Sequence, residues 1–519
     1  MTHKKATLHR ELTLIDLLII GIGGAVGTGV LFGSAGMAAI AGPGVIFAWL
    51  IGGLMYLTVG LTYIDLNRLY PEEGGPSRYS LYTFGSITNM INAFCDILWY
   101  LFIPPIEALG VVEGLNFFYP HFINSSGNPT MLGAILGVVF MLLFFPFNYF
   151  GVKAFSKNTN WFGGIKLLLY LAVALGFLSV GHFVNFTAHG GLAPFGISGI
   201  FLAIPLGMFA FGSLRVIPDY SEEVKDTKVI SKAILLSLLG QTLLYILFGA
   251  ALVAGLNWHD VKITAGHWAG LTSIPGNPFL FMAGHSNLSW LVAIVVIIAI
   301  IGPFVTGYIY QGGASRILFA MGRSKILSKK MTELSKSHGI PVQSLVVTTV
   351  VGVLIAFIAA PAPSIYALLG DAVVAGYLGF AVNPPIMIAL RKDGTQGYFR
   401  SPTVVNIIAA LAMASASLIV YWSGWPSVPY AAILVLLLSI IFGFSGRANT
   451  HFVNSIWYIS YIIFLSFMTY IGSEGALHLL NFTWGSIIVI LVTVFIFLPW
   501  AVASRLSVEE QPKFVAPIA

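Results

Sequence analysis

About fourteen stretches of mostly apolar residues follow one another along this chain, each long enough to cross a bilayer as a helix, which takes ~20 residues. They lie near 13–40, 44–67, 89–118, 131–150, 161–181, 198–220, 230–256, 289–313, 342–360, 364–390, 403–424, 429–446, 454–473 and 484–504. The longest connections, near 257–288 and 314–341, are loop-sized and leave no room for a soluble module. Only 8% of the residues are charged and 57% are hydrophobic. A soluble globular chain carries roughly 25% charged residues, so a surface built from this composition has to face lipid. The expected fold class is an all-α polytopic membrane protein.

The basic residues orient it. With alternating spans and a cytoplasmic N-terminus, 22 of the 25 lysines and arginines fall inside, only Lys262 falls outside, and Lys166 and Arg215 remain within spans. A wrong span count would scramble that asymmetry, so it supports the map and puts both termini in the cytoplasm. The net charge of +6 therefore reports orientation; no basic run interleaved with aromatics suggests nucleic-acid binding. The sequons at Asn124, Asn185, Asn287 and Asn481 lie in or beside outside loops. The short basic segment before the first stretch has no convincing cleavage site after it and reads as the lead of an uncleaved span. Cys95 is the only cysteine, which rules out an intrachain disulfide.

Two spans carry breaks. Span 1 contains Gly21-Ile-Gly-Gly-Ala-Val-Gly-Thr-Gly29, five glycines in nine residues. Glycine weakens a helix by ~1 kcal/mol per residue, and an unwound stretch at membrane depth is tolerated only around a protein-lined cavity. The N–H groups opening the second half-helix would face an anion, and the carbonyls closing the first would face a cation. A zwitterionic amino acid has both. The alternative is a close-packing seam of small residues. Span 6 contains Phe209-Ala-Phe-Gly-Ser-Leu-Arg-Val-Ile-Pro-Asp219, where Gly212, Ser213 and Pro218 loosen the helix. Breaks in spans 1 and 6 are what an inverted repeat of five plus five spans would give.

These residues also resemble a known family. Gly21 to Phe32 resembles the first-span signature of amino-acid permeases of the amino acid–polyamine–organocation (APC) superfamily. Phe209 to Arg215 with Ser221-Glu-Glu-Val-Lys-Asp226 resembles their sixth span and following acidic loop, and Ser315 to Arg323 with Ile340-Pro341 their eighth span and cytoplasmic loop. Tyr421-Trp-Ser-Gly-Trp425 and Tyr470-Ile-Gly-Ser473 look most like bacterial aspartate–proton symporters. The resemblance implies a LeuT-like 5+5 inverted-repeat core with alternating access in the plasma membrane. It divides the chain into a tail (1–12), a core of spans 1–10 (13–400), spans 11–14 (401–505) and a second tail (506–519). It also implies that the amides of Gly27, Thr28 and Gly29 hold a substrate carboxylate. The carbonyls of Ala25, Phe209 and Gly212 would hold its ammonium group, with Phe209 as an aromatic lid. Many relatives have Glu where this chain has Arg215, so that contact does not transfer.

Charges within spans need a partner or a task. Lys166 in span 5, after Gly163-Gly164, either snorkels to the interface or, as its match to proton-coupled relatives implies, loads and releases a proton in place of a sodium ion. Glu107 in span 3 is too deep to snorkel and is either a protonated structural group or a proton exchanger. Glu113 lies nearer the outer end as a vestibule residue. Arg215 either pairs with Asp219 one turn on or aims its planar fork at a substrate side-chain carboxylate, which would suit an acidic amino acid. Asp371 is a gate or pairing residue.

Other classes fit less well. No G-x-x-x-x-G-K-[ST] loop exists for a nucleotide-driven pump, and no H-E-x-x-H or cysteine–histidine set exists for a metalloenzyme. No G-x-S-x-G accompanies Lys166 for a serine hydrolase. A channel needs a continuous pore, which two broken helices suit less well than a midplane site; an amino-acid sensor on the same fold stays open. The reading is a non-enzymatic secondary transporter with no cofactor and H+ as coupling ion. Glu107 and Lys166 would carry the coupling, and Arg215 would bias the site towards aspartate or glutamate. Neutral substrates and exchange are the alternatives. Its partners are the amino acid and the bilayer; oligomeric state is not legible.

Overall fold

The computed structural model describes residues 7–125, 127–274, 277–285, 289–359, 371, 373–443 and 451–514. Lys4, Lys5, Arg447, the sequon at Asn287, the last residue of the sequon at Asn124, the start of the tenth span (364–370) and the last residues of the 506–519 tail lie outside them, as does the side chain of Thr28. Among the described residues the chain is helical, with three isolated bridges and no strand.

Ten helices are long and apolar enough to cross a membrane, and three shorter apolar helices accompany them. Fourteen crossings follow only if the broken and short helices are also counted. Span 1 is two helices, α1 (Leu14–Ala25) and α2 (Thr28–Ala41). At Gly42 the chain turns with φ +59°, where a side chain would be strained and would strike Pro194, and α3 (Val45–Leu69) returns. A short α4 (Tyr79–Phe84) leads into α5 (Ser86–Leu115), followed by α6 (Met131–Tyr149) and α7 (Val152–Ser179). Span 6 is α8 (Gly196–Gly207), a 3-10 stretch over Met208–Arg215, and α9 (Val216–Asp219). Then come α10 (Lys228–Gly255), α11 (Pro278–His285), α12 (Ser289–Arg323) and α13 (Val342–Ala359). Span 10 contains α14 (Ala375–Leu378), a 3-10 turn and α15 (Asn383–Lys392). The chain ends with α16 (Pro402–Trp422), α17 (Ser427–Phe442), α18 (Ile456–Ile471), α19 (Phe482–Val492) and α20 (Leu498–Ala503), the last two joined by a π-helical turn.

The surface has the polarity of a membrane protein. Leu54, Leu168, Leu243, Ile433 and Phe495 are exposed, whereas Asp96, Glu107, Lys166, Arg215 and Gln241 are buried. In lipid this arrangement is stable because the exposed apolar faces meet acyl chains while polar groups find partners inside. α5 and α12 pack along each other, α1 and α7 lie against α12, and α10 lies against α1, α3 and α7. Spans 11–14 back this core: Thr58 of α3 bonds Ser415 of α16 at 3.0 Å, and Tyr458 of α18 donates to Leu378 O at 3.1 Å.

Three expected boundaries change, one of them the start of span 5, which begins at Val152 of α7 and not at 161. Span 8 continues as α12 ten residues past 313, because Arg316 is fixed in buried ion pairs and the helix that carries it stays regular. Span 6 is rewound into 3-10 geometry over Met208–Arg215, with Pro218 inside the helical α9 beyond it, so the change of winding precedes the proline. Such a stretch misaligns backbone bonds. Tyr56 Oη donates to Met208 O at 2.8 Å and Tyr245 Oη to Ala210 O at 2.6 Å to compensate.

Candidate functional site

The glycine run of span 1 divides its labour. A Cβ on Gly21 would stand 2.5 Å from Ser237 Oγ, and one on Gly24 3.4 Å from Ile309 Cγ2, so these glycines let α1 lie close against α10 and α12. The break itself lies at Val26 and Gly27. Val26 has φ −82° and ψ 77°, and Gly27 N–H donates to Ala25 O at 2.9 Å, which together describe an inverse γ-turn. Seam and discontinuity are thus both present, two residues apart.

Side chains from three helices close on this turn. The Lys166 ammonium of α7 is fully buried and donates to Gly23 O (2.7 Å), Gly302 O (2.8 Å) and Thr306 Oγ1 (2.9 Å). The snorkelling alternative is therefore replaced by an inward clamp: Gly163 meets Ile19 of α1, and that close approach turns the lysine inward, away from the interface. A cation also suits the carbonyl end of α1. Tyr170, one turn on, donates to Gly27 O at 3.1 Å. Glu107 of α5 faces the same point: a Cβ on Gly27 would lie 2.8 Å from Glu107 Oε1 and 3.1 Å from Thr306 Oγ1. Lys166 and Glu107 lie within electrostatic reach of each other.

The second break abuts the first. A Cβ on Gly29 would lie 3.2 Å from Phe209 Cδ1, and Ser213 Oγ donates to Gly21 O at 2.7 Å. Phe209 sits against Trp99 with centroids 5.8 Å apart. Gly212 passes directly beneath Trp99, leaving no space for a side chain. The backbone at 25–29 and the stretch 209–213 therefore form one locus.

Arg215 does not pair with Asp219. Its Nη1 donates to Asp96 Oδ1 of α5 at 2.6 Å, its Nη2 to Gly376 O at 2.6 Å, and the guanidinium lies 4.4 Å over the Phe380 ring. The 3-10 winding turns Arg215 towards α5, and Asp219 instead accepts from Tyr100. Asp371 accepts from Ser427 Oγ at 2.7 Å. Glu113 is exposed and lines an outer cavity of about 470 Å³.

The face marked as cytoplasmic is sealed. Arg316 contacts Glu73 Oε1 at 3.2 Å and both oxygens of Glu223 at 2.8 and 2.9 Å, with its guanidinium over Tyr220. Arg323 binds Glu222, and Arg78 binds Glu72 at 2.9 Å. Burial holds the Glu72, Glu73 and Glu223 carboxyls above the usual carboxylate range, while Arg78 acts on Glu72, and Arg316 on Glu73 and Glu223, in the opposite direction. These ion pairs join helix ends and loops on the face opposite the cavity beside Glu113. Asp96, Thr306, Tyr170 and Glu73 were not singled out in the sequence. Asp96 carried a signal, a carboxylate deep within an apolar span; Thr306, Tyr170 and the loop residue Glu73 carried none.

Known proteins match this chain over most of its length. The amino acid permease family matches residues 12–415. The glutamate/serine transporter AimA of Bacillus subtilis (strain 168) is 27% identical over 97% of this chain and 95% of its own length. The aspartate-proton symporter of the same organism is 29% identical over 91% and 92%, and its branched-chain amino acid permease BcaP is 24% identical over 86% and 96%. A multi-pass, non-enzymatic fold with paired helix breaks at one buried locus, matched over most of its length, makes this chain a member of the amino acid permease family, with the LeuT-like fold of the APC superfamily and a place in the plasma membrane.

Proposed function

We propose that this permease takes up an amino acid together with protons, by alternating access, and that aspartate and glutamate are its favoured substrates. The observation that carries the coupling is the Lys166 ammonium, fully buried and spending three hydrogen bonds on Gly23 O, Gly302 O and Thr306 Oγ1. An ammonium has three donors; a neutral amine has two, enough for Gly23 O and Gly302 O, and a lone pair that would accept from the Thr306 hydroxyl. Losing the proton thus turns the Thr306 hydroxyl towards the lysine and away from Gly23 O, which it now meets at 3.3 Å, and removes that bond between α12 and α1 beside the Val26–Gly27 turn. Glu107, against the same turn, is the group with which the proton is shared. Proton occupancy is in this way tied to the position of the first half-helix, which is what coupling requires.

The substrate would take over bonds that the break now makes with itself. Its carboxylate would accept from Gly27 N–H and from the first amides of α2 at Thr28 and Gly29. Its ammonium would replace Gly27 as the partner of Ala25 O, with the carbonyls of Phe209 and Gly212 nearby and the Phe209 ring as cover. The relatives named for glutamate and aspartate support an acidic side chain, as does Arg215, for which a substrate carboxylate would compete with Asp96. A second reading, neutral substrates or exchange, draws on the fact that both Arg215 Nη groups are already engaged. Competition uptake in proteoliposomes separates the two. Wild type should prefer aspartate and glutamate, and the charge-balanced Asp96→Asn/Arg215→Gln variant should lose that preference while still moving serine. Acidic uptake surviving in the double variant would sink the role of Arg215.

A further inference from the structure

We infer that Glu113 is the outer proton relay, passing protons between the external solution and the Glu107–Lys166 pair; this rests on the proton-coupled reading above. The floor of the outer cavity is lined by Leu31, Gly110 and Pro303. Leu31 lies four residues beyond Gly27 on α2, Gly110 three beyond Glu107 on α5, and Pro303 three before Thr306 on α12. Three helices thus bring the cavity to within one turn of the three residues crowding the break. Pro303 also follows Gly302, whose carbonyl holds Lys166 at 2.8 Å.

Glu113 is the one titratable side chain among the described residues lining this cavity. Among the described residues, the elements around it offer no competitor. α2 and the outer halves of α6 and α12 carry no titratable group. On α11, His285 Nδ1 lies 2.8 Å from its own Phe281 O, and in the loop above, His121 rests against Tyr119. Lys166 and Glu107 are the charged groups below. Glu113 and Glu107 stand six residues apart on α5, a rise of about 9 Å, so the transfer runs through cavity water. Pro303 has no N–H, so the Ala299 carbonyl lacks its usual helical donor. Ala299 lines the cavity and its oxygen lies 2.5 Å from where a Cβ of Gly114 would stand, which fixes an acceptor for that water beside Glu113. In the step, an external hydronium protonates the Glu113 carboxylate, and Glu113 releases that proton through water to the Glu107 carboxylate. No other bond changes.

The test compares the external-pH profile of gradient-driven aspartate uptake in wild type, Glu113→Gln and Glu113→Asp, with melting temperature in detergent confirming that each is folded. Slowed uptake in Glu113→Gln, with the profile displaced to lower external pH and largely restored in Glu113→Asp, is the expected result. A folded Glu113→Gln with the wild-type profile would overturn the relay while leaving the coupling intact. Wild-type uptake indifferent to the proton gradient would overturn the coupling reading itself, and the relay with it.

Discussion

Replacing Gly27 by alanine places a methyl group where the structure has two oxygens. The new Cβ would stand 2.8 Å from Glu107 Oε1, 3.1 Å from Thr306 Oγ1 and 3.2 Å from Glu107 Oε2. Overpacking of this kind costs ~1–3 kcal/mol, and relieving it means pushing Thr306 away from the Lys166 ammonium that it meets at 2.9 Å. A penalty of that size falling on one state of the cycle changes an equilibrium by roughly 5–150-fold. Gly164→Ala is the matched control: nothing stands within 4 Å of its Cβ position, and alanine is the better helix former there. Initial rates of radiolabelled aspartate uptake into proteoliposomes, normalised to folded protein, should fall for Gly27→Ala by a factor in that range and hold for Gly164→Ala. Equal rates in the two variants would refute the placement of Glu107 and Thr306 against the break.

Three further outcomes follow from the same geometry. Lys166→Gln should abolish accumulation against a concentration gradient, where wild type gains about tenfold per coupled proton for each pH unit, worth ~1.36 kcal/mol; accumulation at the wild-type level would remove Lys166 from the coupling. Asp96→Asn should destabilise by ~3–5 kcal/mol, because it strands the buried Arg215 guanidinium, and Asp96→Asn/Arg215→Gln should recover much of that in thermal unfolding; additive losses would contradict the pair. Arg316→Ala should speed hydrogen–deuterium exchange across 72–78 and 220–225, since Glu73 and Glu223 lose their shared cation; unchanged exchange would show that the inner seal does not depend on this arginine.

What was legible in the sequence was what is local. The glycine cluster at 21–29 lies within three helical turns, so its inability to hold a continuous helix could be read directly. Lys166 and Glu107 stood out because a charge inside an apolar stretch is conspicuous whatever it touches. The partner of Arg215 was not legible: Asp96 lies 119 residues away in the chain, whereas Asp219 is one turn along the same helix and was the natural local guess. The inner seal is likewise long-range, with Glu73 and Arg316 separated by 243 residues, and it explains why α12 runs on past the end expected from hydropathy. The 3-10 winding of span 6 depends on Tyr56 and Tyr245 from other helices. Gly212 and Ser213, read as loosening the span, fall inside that 3-10 stretch, whereas Pro218 lies beyond it in α9.

The most direct measurement of the central claim is simultaneous recording of aspartate and proton movement in proteoliposomes of the wild-type protein. If aspartate and protons move together, an inward proton gradient drives aspartate above its external concentration, adding aspartate acidifies the lumen, and a protonophore abolishes the accumulation. Accumulation that ignores the protonophore, or aspartate entry without any proton movement, would contradict that claim.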